Sequence, residues 1–234
     1  MKLAIQIPIK GKSSVRVPNK NFRDLNGKPL CEWLLDEVAG MPGEMDIYID
    51  SEDPAVSGKL SKPTYGRFQH HLREGWFAGD SANGNHLAYQ FALSHPGYDA
   101  YAQIFVTAVT LKQEIILQSL EHFKAALPKN DSLFLVTEES GWVWYQGQAL
   151  NYDPGRPNGL PRSQDATYLK ETTGLYVVTR DAVLKTGCRI GETPLPYTVQ
   201  PEYALDIDTM DDLREAERLL AAQDTQFPNH TADE

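Results

Sequence analysis

The run Leu3 to Ile9, LAIQIPI, is isoleucine-rich and almost wholly apolar, and it narrows the fold more than any other feature of the chain. A strand that is apolar on both sides belongs in a parallel sheet covered by helices on each face. The downstream pattern continues that rhythm. Leu30, Trp33, Leu34 and Val38 have helical spacing that stops near Gly40, and a short strand follows over Asp46–Asp50. Ala82–Ser94 reads as helix, Tyr98–Val106 as a buried strand, Lys112–Leu127 as helix and Ser132–Thr137 as strand. This alternation implies an open, mostly parallel α/β sheet.

From Trp142 the pattern changes. Trp142–Tyr145 and Ala149–Tyr152 flank Gln146-Gly147-Gln148 as in a hairpin, and Pro154–Pro161 is rich in glycine and proline, so residues 140–170 read as an insertion. Aromatic groups in such a hairpin, Trp142, Trp144 and Tyr145, suit an interface or core. A strand over Gly174–Val178, a short helix after Arg180, a strand over Tyr197–Val199 and a helix entered at Thr209 complete the reading, with Asp212 placed for a capping box. One domain over residues 1–222 and a frayed tail over 223–234 are expected.

Charge is unevenly distributed. The net charge is −10, yet residues 1–28 carry seven basic side chains against the single acid Asp24. An acidic protein is a poor general binder of nucleic acid, because gripping a phosphate backbone takes a basic face. A local basic cluster suits a compact polyanion such as a nucleotide. No apolar run approaches the ~20 residues of a membrane-spanning helix, so no membrane partner is expected. Cys31 and Cys188 lie far apart and support neither a disulfide framework nor a cysteine zinc site, which fits the cytoplasm. His70, His71, His86 and His95 lack the neighbouring acids or cysteines of a metal site.

Two constellations can carry chemistry. Pro8–Asn21, PIKGKSSVRVPNKN, leaves the C-terminal end of the first strand, where open α/β sheets bind ligands, and its N–H groups and cations can surround a triphosphate. It has neither the Walker spacing nor the glycine fingerprint of a dinucleotide-binding oxidoreductase. The second is Asp206-Ile207-Asp208. Residues two apart on an extended segment face one side, so both carboxylates can meet one site while Ile207 enters the core, and such hard oxygen ligands suit Mg²⁺. The competing reading leaves Asp208 at a helix N-terminus and Asp206 as surface charge.

Lys10-Gly-Lys-Ser-Ser-Val-Arg-Val-Pro-Asn-Lys-Asn21, followed by Leu25-Asn-Gly-Lys-Pro-Leu30, resembles the N-terminal signature of the acylneuraminate cytidylyltransferase family, the CMP-sialic acid synthetases and the related CMP-Kdo synthetases. Arg73 with Asp80, Arg162-Ser-Gln-Asp165, Gly174-Leu-Tyr-Val and Asp206-Ile-Asp-Thr-Met-Asp-Asp-Leu213 resemble later family elements in the same order. The resemblance implies a Rossmann-like, three-layer α/β/α nucleotidyltransferase of GT-A-like type, dimerising through the insertion. It implies transfer of CMP from CTP to an acidic sugar, a nonulosonic acid, with release of pyrophosphate. By the same resemblance Lys10, Gly11, Ser13, Arg16, Lys20 and Asn21 hold the nucleotide, with Lys10, Arg16 and Lys20 neutralising the departing pyrophosphate. Arg73, Asn83 and Asn85 lie near base or ribose, Asp206 and Asp208 hold Mg²⁺ with Asp208 counted among the catalytic residues, Gln103 and Thr107 bind the acceptor, and Arg162, Gln164 and Glu171 face the acceptor or the partner subunit.

Two departures stand out. The family's strand-end motif Gln-Pro-Thr-Ser-Pro-Leu-Arg reads here as Phe105-Val-Thr-Ala-Val-Thr-Leu111, and Lys10 stands where arginine is usual, keeping the charge without a bidentate fork. The acceptor therefore stays open among nonulosonic acids (sialic, legionaminic or pseudaminic), Kdo-like sugars and phosphonates. GTP or UTP in place of CTP, and a non-catalytic nucleotide-binding module, are the remaining alternatives.

Overall fold

The computed structural model describes residues 1–11, 17–43, 45–60 and 62–226. In chain order they form β1 (Leu3–Pro8), the hairpin β2 (Asp24–Leu25) and β3 (Lys28–Pro29), α1 (Leu30–Ala39), β4 (Asp46–Ser51), the single turn α2 (Val56–Lys59), β5 (Gln69–Leu72), α3 (Gly84–Ser94), β6 (Ala100–Ile104), α4 (Gln113–Ala126), β7 (Ser132–Ser140), the hairpin β8 (Trp144–Tyr145) and β9 (Gln148–Ala149), β10 (Thr167–Thr179), α5 (Arg180–Thr186), β11 (Pro194–Thr198) and α6 (Met210–Gln226). The main sheet has the order β11-β7-β10-β6-β1-β4-β5. The pairings of β10 are antiparallel and the others parallel.

Alternation along each strand divides the core between two helical layers. Ile5 and Ile7 of β1, Ile47 and Ile49 of β4, and Ala102 and Ile104 of β6 pack with Leu34, Leu35 and Val38 of α1 and Ile116 and Phe123 of α4. Ala4, Tyr48 and Tyr101 point the other way and pack with Ala88, Phe91 and Ala92 of α3 and Ala182 and Val183 of α5. The result is the expected three-layer α/β/α arrangement. Gln6 and Gln103 lie on this second face, fully or almost fully buried.

Three elements differ from the sequence reading. β10 begins at Thr167, well before Gly174, because Thr167–Glu171 pairs with Val136–Ser140 in a two-stranded extension beyond the sheet, shifting register before Tyr176. Those residues are mostly exposed, so no one-sided apolar alternation marks them. The β2/β3 hairpin was not anticipated, although its turn, Asn26-Gly27 with φ of +50° and +85°, carries the strongest short hairpin signal there is. α6 runs through Gln226, past the boundary expected at residue 222, and residues 227–234 of the expected tail lie outside the described residues.

Candidate active site

Strand order places the site. The chain moves from β1 outward to β4 and β5, then returns through α3 to β6 on the other side of β1, so β1 and β6 flank a switch point. Crevices at the carboxyl ends of such strands are where α/β sheets bind ligands. A pocket of about 460 Å³ opens there, lined by Pro8 at the end of β1 and Lys10 beyond it, Phe105 and Thr107 beyond β6, Asn83 and Gly84 at the start of α3, and Asp206 and Asp208 before α6.

Ile9 leaves β1 donating its N–H to Asp50 O (2.9 Å), and Gly11 N–H donates to Glu52 Oε1 (2.9 Å). The approach is close enough that a Cβ at Gly11 would lie 2.3 Å from Asp53 Cβ. At the other end of the loop, Asn21 Nδ2 donates to Lys10 O (2.9 Å), tying the two loop ends together. Lys20 then crosses the pocket. Its Nζ donates to Ile207 O (2.7 Å) and to Asp208 Oδ1 (3.2 Å), with the lysine side chain 16% exposed and that of Asp208 43%.

The Asp206–Asp208 segment is fixed from behind. Ile207 is fully buried against Leu25, Leu30, Leu213 and Leu220, and its N–H donates to Thr107 O (3.2 Å). Thr209 and Asp212 form a reciprocal cap: Asp212 accepts from the N–H groups of Asp208 and Thr209 at 3.0 and 2.7 Å, and its own N–H donates to Thr209 Oγ1. Burial pushes the Asp212 carboxyl up, but the bonds from Thr209 and these N–H groups outweigh it and hold the pKa below the usual carboxylate value. Asp206 Oδ1 is buried and accepts no hydrogen bond, an acceptor left without the partner that burial ordinarily demands.

Several expected site residues are held by neighbouring groups at the pocket wall or beneath it. Arg73 lines it but is buried, its guanidinium donating to Asp50 O (2.7 Å) and Glu52 Oε2 (3.0 Å), so it clamps the ends of β4 and β1. Burial raises the pKa of Asp50, with Arg73 and Gln6 opposing the rise. Asn83 caps α3, accepting from Asn85 N and His86 N at 3.0 and 3.2 Å, while Asn85 Oδ1 accepts from Arg189 N and does not line the pocket. Gln103 lies beneath the pocket, donating to Gln6 Oε1 and Gly84 O.

The remaining residues fall elsewhere. Glu171 lines an adjoining cavity that shares Asp206 and Thr173 with the first, and accepts from Tyr176 Oη. Arg162 is exposed, pairs with Asp165 and, like Gln164, lines neither cavity. Ser13 and Arg16 lie outside the described residues. Sequence reasoning missed Arg189, which lines the pocket from the loop after α5; that loop has no periodicity or motif that could have marked it.

Among the described residues no three His, Cys, Asp or Glu side chains form a metal cluster by themselves. The unpartnered Asp206 oxygen and the half-exposed Asp208 carboxylate are nonetheless a donor set that fits Mg²⁺, which keeps waters and shares substrate phosphates more than it seeks a full protein cage.

Comparison with known proteins points one way. A family model described as cytidylyltransferase matches residues 7–229. The chain is 27% identical over 231 residues to a pseudaminic acid cytidylyltransferase of Campylobacter jejuni, covering 94% of this chain and 96% of that protein. It is 22% identical over 199 residues to N-acylneuraminate cytidylyltransferase A of Danio rerio, covering 82% of this chain but 45% of that longer protein, so the chain spans less than half of its length. Among solved structures, CMP:2-keto-3-deoxy-manno-octonic acid synthetase complexed with CTP superposes with a TM-score of 0.68 at 17% identity, covering 95% of this chain and 100% of the other, which is a likeness of fold.

Proposed function

The chain belongs to the cytidylyltransferase family, and from that premise we propose that it transfers CMP from CTP to an acidic sugar of the nonulosonic acid type, releasing pyrophosphate. The observation that carries this reading is the pocket at the β1/β6 switch point, where Lys10, Lys20, Asp206 and Asp208 face one space. Similarity along nearly the whole length to a pseudaminic acid cytidylyltransferase favours a nonulosonic acid over the other acceptors.

In this mechanism the basic loop draws in the triphosphate, and an acceptor oxygen displaces pyrophosphate in line at the α-phosphorus. Positioning and charge stabilisation supply most of the rate. Lys20, which pairs with Asp208, turns its ammonium to phosphate oxygens when CTP enters; Lys10 meets the departing pyrophosphate from the end of β1. Asp206 and Asp208 would hold Mg²⁺, which when bound polarises phosphate oxygens and lowers the pKa of an attacking hydroxyl. The exposed aromatic arm formed by Trp142, Trp144 and Tyr145 docks against a second copy, giving a homodimer.

A pyrophosphate-release screen of four nucleoside triphosphates against nonulosonic acids, Kdo-like sugars and phosphonates tests the reaction. Turnover is expected with CTP and a nonulosonic acid, and Asp208→Ala should lower kcat by about 100-fold or more. Silence with every pair would leave a non-catalytic nucleotide-binding module; an unimpaired Asp208→Ala variant would remove the metal assignment.

A further inference from the structure

Arg189 lines the pocket between two aromatic rings, a glutamine and a glycine. Its guanidinium carbon lies 3.7 Å from the centre of the Tyr176 ring and 5.4 Å from that of Phe105. Nη1 donates to Gln103 Oε1 (3.3 Å), and a Cβ at Gly84 would lie 2.1 Å from that nitrogen, so any larger residue there would displace the fork from this position. Behind it runs a buried chain of amides: Gln103 Nε2 donates to Gln6 Oε1 (2.9 Å), and Gln6 Nε2 donates to Asp50 Oδ2 (2.5 Å). A cation at one end and a carboxylate at the other fix the direction of both amides, so turning the arginine fork breaks a continuous network.

Among the described residues no carboxylate is paired with Arg189, and its one side-chain hydrogen bond uses a single donor of the guanidinium's five. A preorganised fork with donors to spare matches a planar carboxylate. The triphosphate is met elsewhere, by Lys10 and Lys20 near the end of β1, whereas Tyr176 lies on β10, two strands or about 10 Å away. Between them the segment Phe105–Leu111 offers no charged side chain, which among the described residues leaves Arg189 as the cation on this wall.

We propose that Arg189 binds the carboxylate of the acidic acceptor and so determines acceptor specificity, with Gln103 and Gly84 positioning it; this rests on the reaction proposed above. The experiment uses the acidic sugar that turns over best with CTP, together with its carboxamide, on the full chain and on Arg189→Met, Arg189→Lys and Gly84→Ala. Arg189→Met should raise the acceptor KM about 10- to 100-fold, leave the CTP KM within about two-fold, and erase the preference for carboxylate over carboxamide. Arg189→Lys should recover part of that preference, and Gly84→Ala, which keeps the charge but displaces the fork, should lose it. A rise in the CTP KM alone, or an unchanged preference in Arg189→Met, overturns the assignment. Absence of turnover by the unaltered chain with every acceptor instead overturns the reaction beneath it and withdraws the assignment with it.

Discussion

At the scale of the residue, the pocket depends on how closely backbone segments approach. Gly11 shows this most clearly: its N–H is held by Glu52, and the space a side chain would need is filled by Asp53. Gly11→Ala must push the start of the loop or Asp53 aside, and kcat/KM for CTP is expected to fall about ten-fold, near 1.4 kcal/mol, with a thermal midpoint close to that of the unaltered chain. Steady-state kinetics with CTP varied would show it, and an unchanged kcat/KM would mean that the loop does not need this close approach. Lys20 answers a different question. Its bond to the Ile207 carbonyl is a contact that no reading of spacing could supply, because the partners are brought together only by the fold.

At the scale of the element, the start of α6 decides where the aspartate pair faces. The Thr209/Asp212 cap was legible from sequence, since the residue types and their spacing are themselves the mechanism. The folded-state pKa of Asp212 is lowered, so its stabilisation is present above its ordinary value of 3.8 and is lost as pH falls through the lower folded value. Asp212→Asn is expected to cost ~1 kcal/mol at neutral pH. The gap between variant and parent should close below about pH 4, a convergence readable from denaturant midpoints across pH; a gap that stays constant with pH would show the ionised carboxylate is not the stabilising form. The β2/β3 hairpin belongs here too: Asn26 Nδ2 donates to Glu217 O (2.8 Å), so the turn after the basic loop is pinned to α6, the helix that follows the aspartate pair.

At the scale of the whole molecule, the strand order makes the site, and the exposed arm is where the proposed homodimer would form. Trp144 and Tyr145 are 56% and 62% exposed at the tip of the arm, an apolar area costly to leave in water. Trp144→Glu combined with Tyr145→Glu should shift the chain from dimer to monomer in sedimentation or light scattering, leaving the far-ultraviolet dichroism unchanged. An unaltered mass would overturn the proposed role of the arm in dimerisation. The pairing of β10 with both β6 and β7 connects the two ends of this arrangement, because one strand carries Tyr176 under Arg189 and, farther along, the extension that leads to the arm.

What the sequence determined by itself is what local chemistry determines: apolar periodicity marked the strands and helices, glycine and cap residues marked their ends, and the placing of Lys10 and Lys20 after the first strand marked one wall of the pocket. Those signals lie within a few residues of one another and survive in a linear reading. Tertiary structure alone decided that Arg73 clamps the backbone at the pocket wall, that Gln103 lies beneath the pocket, that Asn85 serves the loop after α5, and that Arg189 stands on the opposite wall. Each of those roles is set by partners far away in the chain, and a charge's function follows from what surrounds it once water has been excluded.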